Sequence, residues 1–301
     1  MALITIEHSC SPVQKLPPWF RQDLPEKSKL DEMKSLLLEA GIHTVCESAR
    51  CPNLGKCWGQ GTAAFMISGD VCTRACHFCA VETGVPHPLD PDEPRRIAAL
   101  VNKLRLKYVV ITSVTRDDLD DGGVRQFVAT VDAIRDLQRG VKVEVLIPDF
   151  GFKKESLKKI EAVRPDVINH NIETVKRLSP TIRPHADYSR SLQVLAYVKE
   201  MNQNMITKSG IMVGLGESME DVDEVMRDLF QAGCDILTIG QYLAPTRSLR
   251  HIPTQRFFSP AEFEQLESMA KQYKFKHVIS GPLVRSSYFA EQGYYQCLTN
   301  G

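Results

Sequence analysis

The sequence predicts an α/β protein built as an incomplete (β/α)6 barrel with an extension at each end. Three observations predict it. Short β-branched runs alternate with amphipathic stretches from residue 64 onward. The repeat is about 35 residues, the length of one strand–helix unit in a parallel sheet. Six such units can be counted, too few to close a full eight-unit barrel, so one side is expected to stay open.

The strand runs are FMIS (65–68), YVVITSV (108–114), VEVLIPDF (143–150), DVINHNI (166–172), SGIMVGL (209–215) and DILTIGQYL (235–243). Between them, residues 95–106, 122–137 and 219–233 carry apolar residues at three- and four-residue spacing, the period of a helix with one buried face. Ser218 with Asp221 makes a capped start for the last of these, and Gly233 a stop. Residues 28–41 read as a helix that Ser28 caps and Gly41 ends. After the sixth strand come a helix at 259–275 and a strand-like run at 277–284. The organisation is therefore 1–63 as N-terminal extension, 64–258 as barrel and 259–301 as C-terminal extension. No low-complexity linker separates them, so the extensions are expected to pack on the barrel.

Lysine plus arginine equals aspartate plus glutamate at 37 each. No net charge draws the chain toward nucleic acid or anionic lipid. The N-terminus lacks the basic start and apolar run of a secretory signal. No apolar run approaches the ~18 residues of a membrane span. These features point to a cytoplasmic protein, where clustered cysteines serve as metal ligands or redox groups more often than as disulfides.

Six of the nine cysteines fall in two triplets. Cys46, Cys51 and Cys57 form C-x4-C-x5-C; Cys72, Cys76 and Cys79 form C-x3-C-x2-C. Three thiolates can hold three corners of a four-iron cube and leave the fourth iron for another ligand. Two triplets suggest two such cubes. The alternative metal is zinc, but zinc sites usually pair C-x2-C knuckles and close with four ligands. His77 is a poor fourth ligand, because it lies between Cys76 and Cys79 and would be strained. The second triplet occupies the loop after the first barrel strand, where barrels of this kind place their active sites. Strand alternation puts Asn169 and Asn171 on one face, opposite His170.

The second triplet, with Phe78 before its last cysteine, resembles the signature of the radical S-adenosylmethionine superfamily. The flanking text CESARCPNLGKCW around the first triplet resembles the auxiliary-cluster motif of lipoyl synthases. RSSY (Arg285 to Tyr288) matches a second motif of that family. The resemblance runs from about residue 15 to residue 288; His77, Ala80 and Phe289 depart from the common pattern without removing a ligand. It implies a partial barrel of the radical S-adenosylmethionine type with two [4Fe–4S] clusters. Cys72, Cys76 and Cys79 would hold the one that binds S-adenosylmethionine. Cys46, Cys51, Cys57 and Ser287, with Ser286 as the fallback, would hold the auxiliary one. An oxygen ligand is a poor match for iron–sulfur chemistry and makes a weak corner, which suits a cluster that gives up sulfide. Asn171 and Glu173 are implied for adenosine, Asp120 and Gly122 (with Asp121 beside them) for the methionine ammonium, and Gly214 and Gly216 for close backbone approach. Arg183 is a candidate for the pocket wall, against the commoner reading as an exposed arginine.

The implied reaction inserts two sulfurs at C6 and C8 of an octanoyl chain attached to a carrier lysine. An unactivated C–H bond has no useful acidity, so acid–base catalysis does not open it and a radical must. The implied partners are octanoylated carrier domains of 2-oxoacid dehydrogenases and the glycine cleavage H protein, with a flavodoxin or ferredoxin as reductant. The lysines at 153, 154, 158 and 159 form a basic patch that could dock a carrier or simply be a solvated helix face. The rival readings are a biotin synthase or methylthiotransferase type of enzyme, and a metal-bearing scaffold without activity. Cys10, Cys234 and Cys297 read as small hydrophobes or terminal thiols, and Trp19 and Trp58 as packing anchors.

Overall fold

The computed structural model describes residues 15–22, 26–59 and 63–300. Cys10 and the start of the chain, on which the leader reading rests, lie outside the described residues. Six parallel strands follow the predicted order: β2 (Ala64–Ile67), β3 (Tyr108–Ser113), β4 (Lys142–Leu146), β5 (Val167–Asn169), β6 (Ile206–Val213) and β7 (Ile236–Gln241). Two further strands lengthen the sheet at its edges. β1 (His43–Thr44) pairs antiparallel with β2, and β8 (His277–Gly281) pairs parallel with β7. The sheet has eight strands in the order β1 to β8, so the partial barrel begins and ends on strands supplied by the predicted extensions.

Helices cover the outer face: α4 (Glu93–Lys103), α5 (Val124–Arg135), α6 (Lys154–Ala162), α8 (Tyr188–Met201), α9 (Met219–Gln231) and α10 (Pro260–Lys271). β3 is buried on both faces along most of its length, which is why it reads as an unbroken apolar run without alternation. α9 starts on the predicted Ser218–Asp221 capping box, and Gly233 follows it in the left-handed region at φ +79°. One prediction shifts. α1 (Lys27–Ala40) begins with Glu26 at the cap position, so Ser28 lies inside the first turn and caps nothing. Gly41 stops it at φ +59° as expected. The final helix, α11 (Ala290–Asn300), has no clear signal in its polar and aromatic sequence. It presents Ala290, Tyr294 and Cys297, at i, i+4 and i+7, to the lower end of the barrel. No helix among the described residues is long and apolar enough to cross a membrane.

Inside the barrel the side chains are layered. Ala64, Tyr108, Val110, Val167, Ile206 and Ile236 form an apolar floor closed by α11. Glu144, Asn169 and Lys208 form a polar layer with the Tyr108 hydroxyl. The Lys208 ammonium donates to both Glu144 oxygens at 3.0 and 3.1 Å, Asn169 Nδ2 donates to Oε1 at 2.8 Å, and Tyr108 Oη donates to Oε2 at 2.7 Å. Glu144 and Lys208 are essentially inaccessible to solvent. Burial and the adjacent carboxylate hold the Tyr108 hydroxyl protonated far above its ordinary range.

Removing one partner of a buried pair leaves an uncompensated charge. Lys208→Ala is expected to cost about 3–5 kcal/mol, read as a lower denaturant midpoint at constant slope. Lys208→Met combined with Glu144→Gln, which keeps an acceptor for Tyr108 and Asn169, is expected to recover most of that loss.

Candidate active site

β2 ends in a sharp turn, with Ser68 at φ +69° and Gly69 at φ +88°. Ser68 is held there by its own N–H donating to Glu93 at 2.9 Å and its carbonyl accepting from Arg116 at 3.2 Å. The turn launches the loop that carries Cys72, Cys76 and Cys79. Arg74, only 7% exposed, clamps this loop to the barrel. Its guanidinium donates to Asp117 at 2.7 and 2.8 Å and to Asp149 at 2.9 and 2.7 Å. Asp117 follows β3 and Asp149 follows β4, so one cation ties the cysteine loop to two strand ends with bidentate geometry. Cys72 Sγ accepts from the backbone N–H of Arg74 at 3.4 Å and of Thr115 at 3.3 Å. From above, Arg250 and His251 reach the Cys79 carbonyl at 3.4 and 3.0 Å. Burial pushes the Cys76 thiol up to about 11 and the Cys79 thiol up to about 12. Ligation has to displace those protons, so metal uptake weakens in acid.

The other triplet sits on two short helices, α2 (Val45–Ser48) and α3 (Leu54–Gly59). Thr44 caps α2 by accepting from the Glu47 N–H at 3.3 Å. Cys51 N–H donates to the Cys46 carbonyl at 2.9 Å, and Cys57 N–H to the Asn53 carbonyl at 2.9 Å, which winds the three cysteines into one compact turn. Burial pushes Cys46 up to about 12 and Cys57 up to about 11, and the neighbouring Cys51 adds to both. Val45 packs against the group that holds Cys46 and Cys51 and also against the group that holds Cys72 and Cys79. Val45 thus belongs to the apolar surroundings of both triplets.

Residues 283–289 return to this segment from the far end of the chain. Asn53 Nδ2 donates to the Leu283 carbonyl at 2.6 Å. Lys56 Nζ donates to Tyr288 Oη at 3.0 Å and lies 5.4 Å above the Phe289 ring. The turn bearing Ser286 and Ser287 is thus fastened to the turn bearing Cys51 and Cys57. On its other side, Asn171 Nδ2 donates to Ser286 Oγ at 3.2 Å and to Glu173 Oε1 at 3.1 Å. Glu173 is a non-glycine residue at φ +67°, bonded through its backbone to Gly210 and Met212 of β6 at 2.9 Å each. Lost hydration raises its carboxyl above the ordinary range, opposed by Arg183, Asn171 and Arg285.

Other predicted residues stand elsewhere. Arg183 is buried, not exposed, and donates to the Ile172 carbonyl at 2.8 Å. Asp120 is exposed on the outer rim, where its carbonyl accepts from Lys153 at 2.5 Å, and it does not join Asn171 and Glu173. Asp121 is paired with Arg125 at 3.0 Å. Gly122, at φ +66°, packs on the Phe150 ring. A Cβ at Gly214 would collide with Gln241 and the Arg256 carbonyl, so the chain's own packing requires that glycine. Gly216, at φ +104°, is required by conformation alone. Lys154 lies over the Tyr197 ring and Lys158 pairs with Glu155, so the basic patch is engaged locally. Cys234, Cys297 and Trp58 are buried, and Trp19 stays partly exposed.

Sequence reasoning missed Arg74 and Glu217. A charged residue inside the cysteine spacing, with aspartates at 117 and 149 just past strand ends, was the available signal for Arg74. Glu217 closes the glycine turn by accepting from the N–H of Gly214 at 2.5 Å and of Leu215 at 2.8 Å. His170 is buried within electrostatic reach of Arg183, Asp149 and Arg74. Its Nδ1 lies 2.8 Å from the Ile147 carbonyl and so carries the proton.

The radical SAM superfamily profile matches residues 66–229, more than half the chain. Lipoyl synthase of Rubrobacter xylanophilus is 51% identical over 92% of this chain and 85% of its own length. The chain belongs to the lipoyl synthase family. Lipoyl synthase of Caldicellulosiruptor saccharolyticus is 49% identical over 92% of this chain and 97% of that protein. That of Pyrobaculum arsenaticum is 51% identical over 94% and 96%. Among solved structures, the hydrogenase maturase HydG superposes with a TM-score of 0.57 at 15% identity, over 91% of this chain and 61% of HydG. Methylornithine synthase superposes at 0.53 and 13% identity, over 90% and 80%. These two likenesses establish the fold, a parallel α/β sheet of the radical SAM type.

Superfamily membership implies a [4Fe–4S] cluster and S-adenosylmethionine, and this lipoyl synthase family member has residues that fit them. No disulfide joins the described cysteines, and the members of each triplet lie within electrostatic reach of one another, which is the soft donor set such clusters require. Among the described residues, no three His, Cys, Asp or Glu side chains converge on a point that would hold a single ion.

Arg74→Lys keeps the charge but loses the fork that spans Asp117 and Asp149. It is expected to lower iron bound at Cys72, Cys76 and Cys79, measured as iron per chain after anaerobic reconstitution. Burial, then Arg183, depress His170 from 6.5 to about 4. The unfolded chain takes that proton first as pH falls, so the stability held above pH 6.5 is lost progressively down to about pH 4. The loss is about 3 kcal/mol at most. His170→Gln is expected to flatten that part of the stability–pH curve.

Proposed function

We propose that this lipoyl synthase family member inserts two sulfur atoms at C6 and C8 of an octanoyl chain carried on a protein lysine. The observation that carries the reading is the fastening of residues 283–289 onto the segment that bears the first cysteine triplet. In this reading Cys72, Cys76 and Cys79 hold the cluster that binds S-adenosylmethionine. Cys46, Cys51, Cys57 and Ser287 hold an auxiliary [4Fe–4S] cluster. When bound, the first cluster with its cofactor supplies a hydrogen-abstracting radical, and the auxiliary cluster supplies sulfide.

The protein's own residues then orient and shield. Arg74 fixes the cysteine loop relative to β3 and β4, and Glu217 fixes the glycine turn after β6. Asn171, Glu173 and Arg183 line the cofactor pocket at the ends of β5 and β6. Asp120, with Gly122, Gly214 and Gly216, shapes its rim at most through backbone conformation. The apolar floor closed by α11 excludes water from the interior, which protects a reactive carbon centre from competing hydrogen donors.

The substrate is an octanoylated carrier domain of a 2-oxoacid dehydrogenase or of the glycine cleavage H protein. A macromolecular substrate suits the fold: the structural neighbour SuiB of Streptococcus suis, at a TM-score of 0.56 and 12% identity, has been solved bound to a precursor peptide. A flavodoxin or ferredoxin supplies electrons. The reducing cytoplasm suits a chain whose described cysteines form no disulfide.

The test is an anaerobic single turnover with an octanoyl-lysine peptide, read by mass spectrometry. The expected product carries two added sulfurs, from protein that begins with about eight irons, four in each [4Fe–4S] cluster. Protein that reconstitutes with only about four irons, or that cleaves the cofactor without adding sulfur to the peptide, would defeat the proposal.

A further inference from the structure

Ser286 and Ser287 are adjacent, yet the fold treats Ser286 as part of a different site. Its hydroxyl accepts from Asn171 Nδ2 at 3.2 Å. The other proton of that same amide goes to Glu173 at 3.1 Å. The amide oxygen, Asn171 Oδ1, is buried and has no partner among the described residues. Gly210 packs tightly against it: a Cβ there would come within 3.0 Å of Asn171 Oδ1 and 2.7 Å of Thr238 Oγ1, so only glycine lets the amide sit against this strand. A buried acceptor without a donor calls for a ligand that brings an N–H or O–H.

The amide is planar, so its two ends turn together. A donor that engages Oδ1 fixes the plane and with it both Nδ2 bonds. One of those bonds holds Ser286, and Ser286 holds the turn that presents Ser287. The far side of that turn is already fastened by Lys56 to Tyr288 at 3.0 Å. Arg285, in the same turn, lies within electrostatic reach of both Cys51 and Glu173.

We infer that Ser286 is a positioning residue that couples the two sites: through Asn171, filling the S-adenosylmethionine pocket steadies the serine corner of the auxiliary cluster. This rests on the reading of Asn171 and Glu173 as pocket residues and of Ser287 as a cluster ligand. It deepens that reading by adding a direction of control. The weakest corner of the sacrificial cluster is held while cofactor is present and loosened when the pocket is empty. By linkage, an intact auxiliary corner also favours cofactor binding by the same factor.

The experiment measures loss of each cluster separately. Doubly loaded, anaerobic protein is exposed to an iron chelator for timed intervals, with and without S-adenosylmethionine. Freed thiols are alkylated and counted by peptide mass spectrometry, so Cys46, Cys51 and Cys57 are read apart from Cys72, Cys76 and Cys79. S-adenosylmethionine is expected to slow labelling of the first three by at least about fivefold in the unaltered chain. Ser286→Ala should abolish that protection while still binding cofactor in equilibrium dialysis, and Ser286→Thr, which retains a hydroxyl, should restore it. Labelling that ignores the cofactor in the unaltered chain overturns the inference. So does protection that survives in Ser286→Ala, or a fall in cofactor affinity in that variant larger than the same factor, because Ser286 meets the pocket only through Asn171. An unaltered chain that holds only about four irons would overturn this and the two-cluster reading together; eight irons with cofactor-blind labelling would overturn the coupling alone.

Discussion

Two ends of the chain have to meet for this molecule to have a site, and a pair of polar contacts makes them meet. Asn53 donates to Leu283 at 2.6 Å and Lys56 donates to Tyr288 at 3.0 Å, across 230 and 232 residues of sequence. Closing so long a loop is entropically costly, and two hydrogen bonds alone do not offset it. The apolar docking of Ala290, Tyr294 and Cys297 under the barrel does most of that work. The polar pair then sets the register of the turn between Arg285 and Tyr288. Without that register the serines would hang from β8 with no relation to Cys46, Cys51 and Cys57.

The rest of the architecture supports this meeting. Short strands bring residues from five β–α turns to one end of the sheet, where Arg74 binds two of them to the cysteine loop. The interior below is filled in layers, apolar at the bottom and polar at Glu144, Asn169 and Lys208. A filled lower half leaves the working volume at the upper rim, against the cysteines. Ser68 and Glu173, two of the eleven non-glycine residues in the left-handed region among the described residues, flank the site and are held by several bonds each.

Much of this was legible in the chain itself. The six barrel strands were readable because β-branched runs of that length recur at a unit-length spacing. The start of α9 was readable because Ser218 and Asp221 satisfy each other locally. Ser28 misled for the opposite reason: α1 starts with its cap position two residues further upstream, at Glu26, and no side-chain bond at Ser28 marks the start. α11 was hidden because its apolar face is only three residues wide and includes a tyrosine and a cysteine. Gly214 looked like a cofactor contact, yet its crowding comes from Gln241 and Arg256, which lie 27 and 42 residues away in sequence. Asp120 matched a motif by position but lies on the outer rim beside Lys153.

What the residue order alone determined was the chemistry on offer: soft thiols in two groups of three, at spacings that suit metal ligation, on a β–α scaffold. Those are local properties, set by neighbours a few positions apart. Which groups face one another was decided only in three dimensions. That Val45 packs in the apolar surroundings of both triplets, that Arg74 pairs with Asp117 and Asp149, and that Asn171 reaches Ser286 all depend on strands being stacked in one particular order. Contacts over such separations leave no periodic trace in a single sequence, because the intervening loops carry no information about where their ends will meet.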